Sequence, residues 1–169
     1  MIRVTVVTVI LTYLVLNHVK YPMIVQDSEL LSYVNWFKEQ AIKHGVEDLD
    51  YSNLIVRFGD TKSNNNEYTM GYCIRLAEHR EVVLYRPYFI AASVYTKKAL
   101  IAHELGHCIL NRRHDLRCVE PPGYRENGCE LSYSLMFPAI NSVDFENHEE
   151  YYMKELFENY ESREIPSFE

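Results

Sequence analysis

Residues 102–115 read "AHELGHCILNRRHD", with three histidines and one glutamate. His103 and His107 are four apart, and Glu104 directly follows the first. On a helix, positions four apart differ by about 40° in azimuth, so both imidazoles leave one face. Two imidazoles so placed can share a zinc ion at about 2.1 Å. Glu104 then stands near a water polarised by that metal, and its carboxylate can take the water's proton. The pattern therefore carries a mechanism as well as a spacing. The plain alternative is an ordinary helix with two surface histidines. The flanks predict a helix over residues 96–110, with Ala99, Leu100, Leu105, Ile109 and Leu110 as its packing face. Gly106 lies inside it, where glycine costs about 1 kcal/mol relative to alanine. A residue that small is expected where a neighbour packs close to the helix.

A third histidine, His114, follows seven residues after His107, and the segment "SYSLMFPAI" brings Met136 twenty-two residues further on. Together these segments resemble the metzincin clan of zinc endopeptidases. The resemblance spans residues 28–160 in the order of elements, and 102–115 and 132–139 residue by residue. It implies an α+β, metzincin-like zincin fold. That fold has a small mixed sheet with an N-terminal helix, a central active-site helix, a tight turn with a methionine beneath the metal, and a C-terminal helix. It also implies zinc held by His103, His107 and His114, Glu104 as the catalytic base, and Met136 as the turn methionine. Asp115 follows the third ligand directly, as in the adamalysin branch.

The clan brings its third histidine six residues after the second, with an intervening glycine that ends the helix in a left-handed conformation. That glycine is missing here. Asn111 stands four after His107, and Asn is the non-glycine residue most at ease in left-handed backbone. His114 is three beyond Asn111, so the spacing from turn to ligand is kept. Asn111 is therefore expected at positive φ, with the helix one residue longer and about 100° of extra rotation absorbed by the loop. Some members add a tyrosine ligand two residues after the methionine; that position is Pro138 here. Plainer readings exist for each residue: His114 in a surface loop, Met136 filling a core, Asp115 capping a turn.

The expected function is that of a zinc-dependent endopeptidase acting on a peptide or protein substrate. The peptide would lie along the edge of a strand before the active helix, either 68–75 or 82–86. The pocket beside the metal would be lined by residues near 136–141. Two other classes stay open. A gluzincin-type peptidase would take its third ligand from Glu130, Glu149 or Glu150, although no E-x-x-x-D pattern lies there. A non-catalytic secreted binding domain would keep zinc for stability alone, but such a site has no use for Glu104.

A length of 169 residues suits one catalytic domain, expected over residues 22–169. A net charge of −7 and no long basic run argue against nucleic acid as a partner. The acidic C-terminal region reads as a solvated helix face. Residues 1–21 carry Arg3, then an uncharged run over 4–16, then a polar flank before Pro22. That run is short for a membrane span and suits an export signal or a short anchor; a buried strand is the alternative. Secreted or periplasmic location follows, with a monomer and no other membrane attachment expected. Cys73, Cys108, Cys118 and Cys129 permit two disulfides in that compartment. Cys118 and Cys129 bracket the irregular "EPPGYRENG" and are expected to pair, leaving Cys73 to join Cys108, strand to helix. No CxxC pair suggests a four-cysteine zinc site.

Along the chain, 26–45 predicts an amphipathic helix capped by Asp27 or Ser28 and ended by Gly45, with Leu30, Leu31, Val34, Trp36, Phe37 and Ile42 as its apolar stripe. Strands are expected at "NLIVRFG", "YTMGYCIRL" and "EVVLYRP", with irregular chain over 111–143 and a last helix begun by Asp144 or Asn147.

Overall fold

The computed structural model describes residues 20–60, 69–77, 79–118, 132–139 and 142–158. Within them the chain is α+β: β1 (Ile24–Val25), α1 (Ser28–Lys43), β2 (Leu54–Gly59), β3 (Gly71–Leu76), β4 (His79–Tyr85), α2 (Arg86–Ala91), α3 (Val94–Cys108) and α4 (Ser142–Phe157). The expected segment 1–21 falls outside the described residues except for Lys20 and Tyr21. Among the described residues, no helix is long and apolar enough to cross a membrane.

Asp27 caps α1 by accepting a hydrogen bond from the Glu29 amide at 3.0 Å, which satisfies an amide that has no partner within the helix. Leu30, Val34, Phe37 and Ala41 form its buried stripe. Leu31 and Ile42, expected in that stripe, are 44% and 59% exposed. The buried set repeats at three- and four-residue steps along one face, and both outliers lie rotated off it. Trp36 is partly buried and meets Phe145 of α4 edge to face.

The sheet is mixed, in the order β1-β2-β4-β3. β1 and β4 both run parallel to β2, whereas β3 pairs antiparallel with β4. In chain order the outer strand β3 thus forms before β4, which lies between it and β2. β1 was not foreseen, because two residues give no readable alternation. Nor was α2. The "EVVLYRP" strand stops at Tyr85 because Pro87 occupies the first turn of a helix, where its missing N–H has no hydrogen bond to lose.

The central helix α3 starts two residues earlier than expected, at Val94, with the Ser93 hydroxyl accepting from the Thr96 amide. It is covered by α1, α4, β3 and β4, and its expected packing face is buried throughout. A helix enclosed on several sides has little amphipathic signature. Gly106 is its close approach: a Cβ there would lie 2.7 Å from Met136 Sδ and 3.2 Å from Leu156 Cδ1. Met136 itself is fully buried.

Cys73 of β3 is bridged to Cys108 at the end of α3, strand to helix as expected. Cys118 is also disulfide-bonded. Its expected partner, Cys129, lies outside the described residues. Closing a loop with a sequence separation of 35 restricts the unfolded chain by about 3–4 kcal/mol. Replacing both Cys73 and Cys108 by serine is expected to lower stability by about that much, read from denaturant unfolding with midpoint and slope fitted together, because the released unfolded chain exposes more surface and steepens the slope. A drop below ~1 kcal/mol would show that the bridge constrains little.

Candidate metal centre

His103 and His107 leave the same face of α3, as their spacing requires. The chain then turns. Asn111 has φ of 53°, in the left-handed region, and the Arg112 amide closes the turn by donating to Gly106 O at 2.9 Å. That bond reaches back six residues. In a Schellman closure the corresponding bond reaches back five. The spacing from His107 to Asn111 predicts a helix one residue longer. Instead α3 ends at Cys108, and the extra residue is taken up in a wider turn through Ile109 and Leu110. Arg75 of β3 donates to Asn111 Oδ1 and holds the turn from outside. The turn sends His114 back over the helix.

The result is a cluster of three imidazoles. His103 Nε2 lies 3.1 Å from His107 Nε2 and 3.3 Å from His114 Nε2. All three ligand atoms fall within 4.8 Å of one another. A tetrahedral ion with bonds of about 2.0–2.1 Å sets nitrogen pairs about 3.3–3.4 Å apart, so the spacing fits zinc. His103 is buried, His107 half-buried and His114 exposed. This gradient leaves the centre open on one side.

The protonation pattern makes the fit sharper. His103 Nδ1 donates to Leu135 O at 2.8 Å, and His107 Nδ1 donates to Arg112 O at 2.6 Å. A carbonyl oxygen only accepts, so both protons sit on Nδ1 and both Nε2 atoms present lone pairs. Two lone pairs facing each other at 3.1 Å cannot hydrogen-bond, whereas a cation between them would satisfy both. Protonation offers no relief. Burial, opposed by the Leu135 carbonyl and aided by the neighbouring imidazoles, holds His103 down at about 4. His107 is lowered as well, again chiefly by burial.

Glu104 is 4% exposed and forms no ion pair among the described residues. Burial alone lifts its carboxyl to about 8; a cation on the histidines would draw it back down. Its side chain lies against the start of β3, where a Cβ on Gly71 would come within 3.1 Å of Glu104 Cγ and Oε1. The absence of a side chain at Gly71 therefore makes room for the carboxylate. No sequence feature marks Gly71, since a single glycine within a strand pattern carries no signal about a distant contact.

A cleft of about 740 Å³ runs between β3 and the segment after Met136. It is lined by Met70, Gly71 and Tyr72 on one side and by Pro138 and Ala139 on the other. His103, Glu104, His107 and His114 open into it. Of the two strands considered for a peptide, β3 is the edge and β4 is interior. Met136 packs under Gly106, and its carbonyl accepts from the Asp115 amide at 3.0 Å. Asp115 caps its own turn: it accepts from the Arg117 amide at 3.1 Å and pairs with the Arg117 guanidinium, which lowers its carboxyl. Of the alternative glutamate ligands, Glu149 pairs with Lys98 and Glu150 with Lys43, while Glu130 lies outside the described residues.

Asn111→Gly is expected to change stability by less than about 1 kcal/mol, since relief of the left-handed backbone offsets the lost Arg75 contact. Asn111→Val is expected to cost about 2 kcal/mol or more, because a β-branched residue resists that backbone. Chemical denaturation of both variants checks this; a tolerated valine would show that the turn does not require positive φ.

No family model matches the chain, and neither a curated protein nor a solved structure matches it, so the reading of this centre rests on its own geometry.

Proposed function

We propose that the protein is a zinc-dependent endopeptidase of metzincin-like build, acting on peptide or protein substrates outside the cytoplasm as a monomer. The observation that carries this reading is Glu104. It is a buried carboxylate in the same cleft as three converging imidazoles, and it has no cationic partner among the described residues. A centre that served stability alone would gain nothing from such a group and would bear its desolvation penalty. The bridge between Cys73 and Cys108 suits an oxidising compartment.

His103, His107 and His114 would hold three positions and leave the fourth facing the cleft. Zinc, when bound, supplies Lewis acidity: it polarises a carbonyl oxygen and acidifies water. The rest falls to the chain. An extended peptide would add to the outer edge of β3, which has no partner strand among the described residues, exchanging backbone hydrogen bonds with it. Glu104 would take the proton from the attacking water onto its carboxylate and pass it to the departing amine nitrogen. Its apolar surroundings raise its proton affinity, which suits a group that must first hold that proton. The gluzincin alternative is weakened by the lysine pairs of Glu149 and Glu150.

Glu104→Ala is expected to retain about one zinc per chain and to lose peptide hydrolysis by a factor of about 10²–10⁴. Metal analysis together with cleavage of a mixed peptide library tests both parts, and unchanged cleavage would remove Glu104 from the mechanism. His114→Ala is expected to lose most of the zinc affinity, measured by competition with a chelator. Unchanged affinity would mean that another residue supplies the third ligand.

A further inference from the structure

Arg112 follows the Asn111 turn and is only 4% exposed. Its carbonyl is the one that fixes His107. Its guanidinium reaches the last turn of α4, donating to the carbonyls of Glu155 at 3.0 Å and Leu156 at 2.7 Å and to the Glu155 carboxylate. The other Glu155 oxygen accepts from Ser134 Oγ at 2.8 Å. Ser134, fully buried, accepts from the Met136 amide at 3.1 Å. Between Ser134 and Met136 sits Leu135, whose carbonyl fixes His103. One continuous set of hydrogen bonds therefore joins the two peptide carbonyls that orient the helix-borne histidines.

An arginine is a demanding way to finish a helix. A buried charge needs partners for its donors, and here the two terminal nitrogens have them while Nε has none among the described residues; water or a neutral donor would satisfy the same terminal carbonyls at less cost. What the arginine adds is a planar fork that fixes direction as well as distance. Here that fork sets the turn carrying Arg112 O against the turn carrying Leu135 O.

We propose that Arg112, Glu155 and Ser134 act as positioning residues that hold the imidazoles of His103 and His107 in their metal-binding orientation. The proposal rests on the reading of His103, His107 and His114 as metal ligands. Groups that orient ligands typically change metal affinity by about 10–100-fold when removed.

The test uses the full chain with Ser134→Ala, Glu155→Gln and Arg112→Lys. Lys98→Gln, which breaks the ion pair between α3 and α4, is the control. Three quantities are read: zinc affinity by chelator competition, the visible absorption of the cobalt(II)-substituted protein, and the thermal midpoint of the metal-free protein. Ser134→Ala and Glu155→Gln are expected to weaken zinc binding about 10–100-fold and to shift the cobalt bands, with Arg112→Lys in between. Lys98→Gln is expected to lower the thermal midpoint without changing either metal readout. Wild-type affinity and an unshifted spectrum in Ser134→Ala and Glu155→Gln would overturn the proposal. So would an affinity loss in Lys98→Gln equal to theirs. If Glu155→Gln does not fold, Ser134→Ala decides, because it removes a single oxygen. A wild-type protein that takes up no zinc would overturn the metal reading and this proposal with it; one that binds tightly while the variants match it would overturn this proposal alone.

Discussion

Two imidazole nitrogens that cannot hydrogen-bond to each other face across 3.1 Å because their opposite edges are each held by a peptide carbonyl. The arrangement is unfavourable until a positive charge lies between them. It persists because those carbonyls belong to segments fixed for other reasons: one follows a left-handed turn, the other lies in a tight loop beneath a glycine. The rest of the fold can be understood as what keeps these two segments in place. Met136 fills the space that Gly106 leaves open, and α4 closes the floor below them.

The upper wall of the cleft depends on a different restraint. Among the described residues β3 is an outer strand, paired on only one side, and unpaired strand edges invite pairing with other chains. Here the strand is tied covalently to the end of α3 by Cys73 and Cys108. Arg75 and Arg80, which face each other across the β3–β4 pair, both reach toward that helix end. Two cations near a helix C-terminus meet the negative end of its dipole, which offsets their mutual repulsion. Among the described residues the outer edge of β3 carries no partner strand, and the strand is fixed relative to the histidines.

Much of this was legible in the sequence, for physical reasons that differ by residue. His103 and His107 could be paired because helical geometry is strict over four residues. Asn111 could be placed because few residue types tolerate positive φ. The strand-to-helix pairing of Cys73 with Cys108 followed from exclusion once Cys118 and Cys129 were assigned to one loop. Other features were hidden. Gly71 makes room for Glu104 through a contact between distant segments, and no local pattern encodes that. Arg112 read as one of two basic residues before His114, and nothing adjacent distinguished the buried one from the exposed Arg113. The short strand β1 and helix α2 were missed because two to six residues carry too little periodicity. The wider turn after α3 was misassigned to the helix, since sequence spacing alone cannot divide a residue between helix and loop.

Joining Arg112 to Glu155 spans a sequence separation of 43, and joining His103 to Leu135 spans 32. Contacts that far apart form late, because the entropy of closing a long loop is lost before the contact gives anything back. A chain that emerges from the ribosome N-terminus first can build the sheet and α3 well before α4 exists. The imidazoles would then be present but without fixed direction, since the carbonyl partners they need are still being made or have not docked. The centre described here is therefore complete only once α4 has docked, because the carbonyls that orient His103 and His107 are tied to it through Arg112, Glu155 and Ser134.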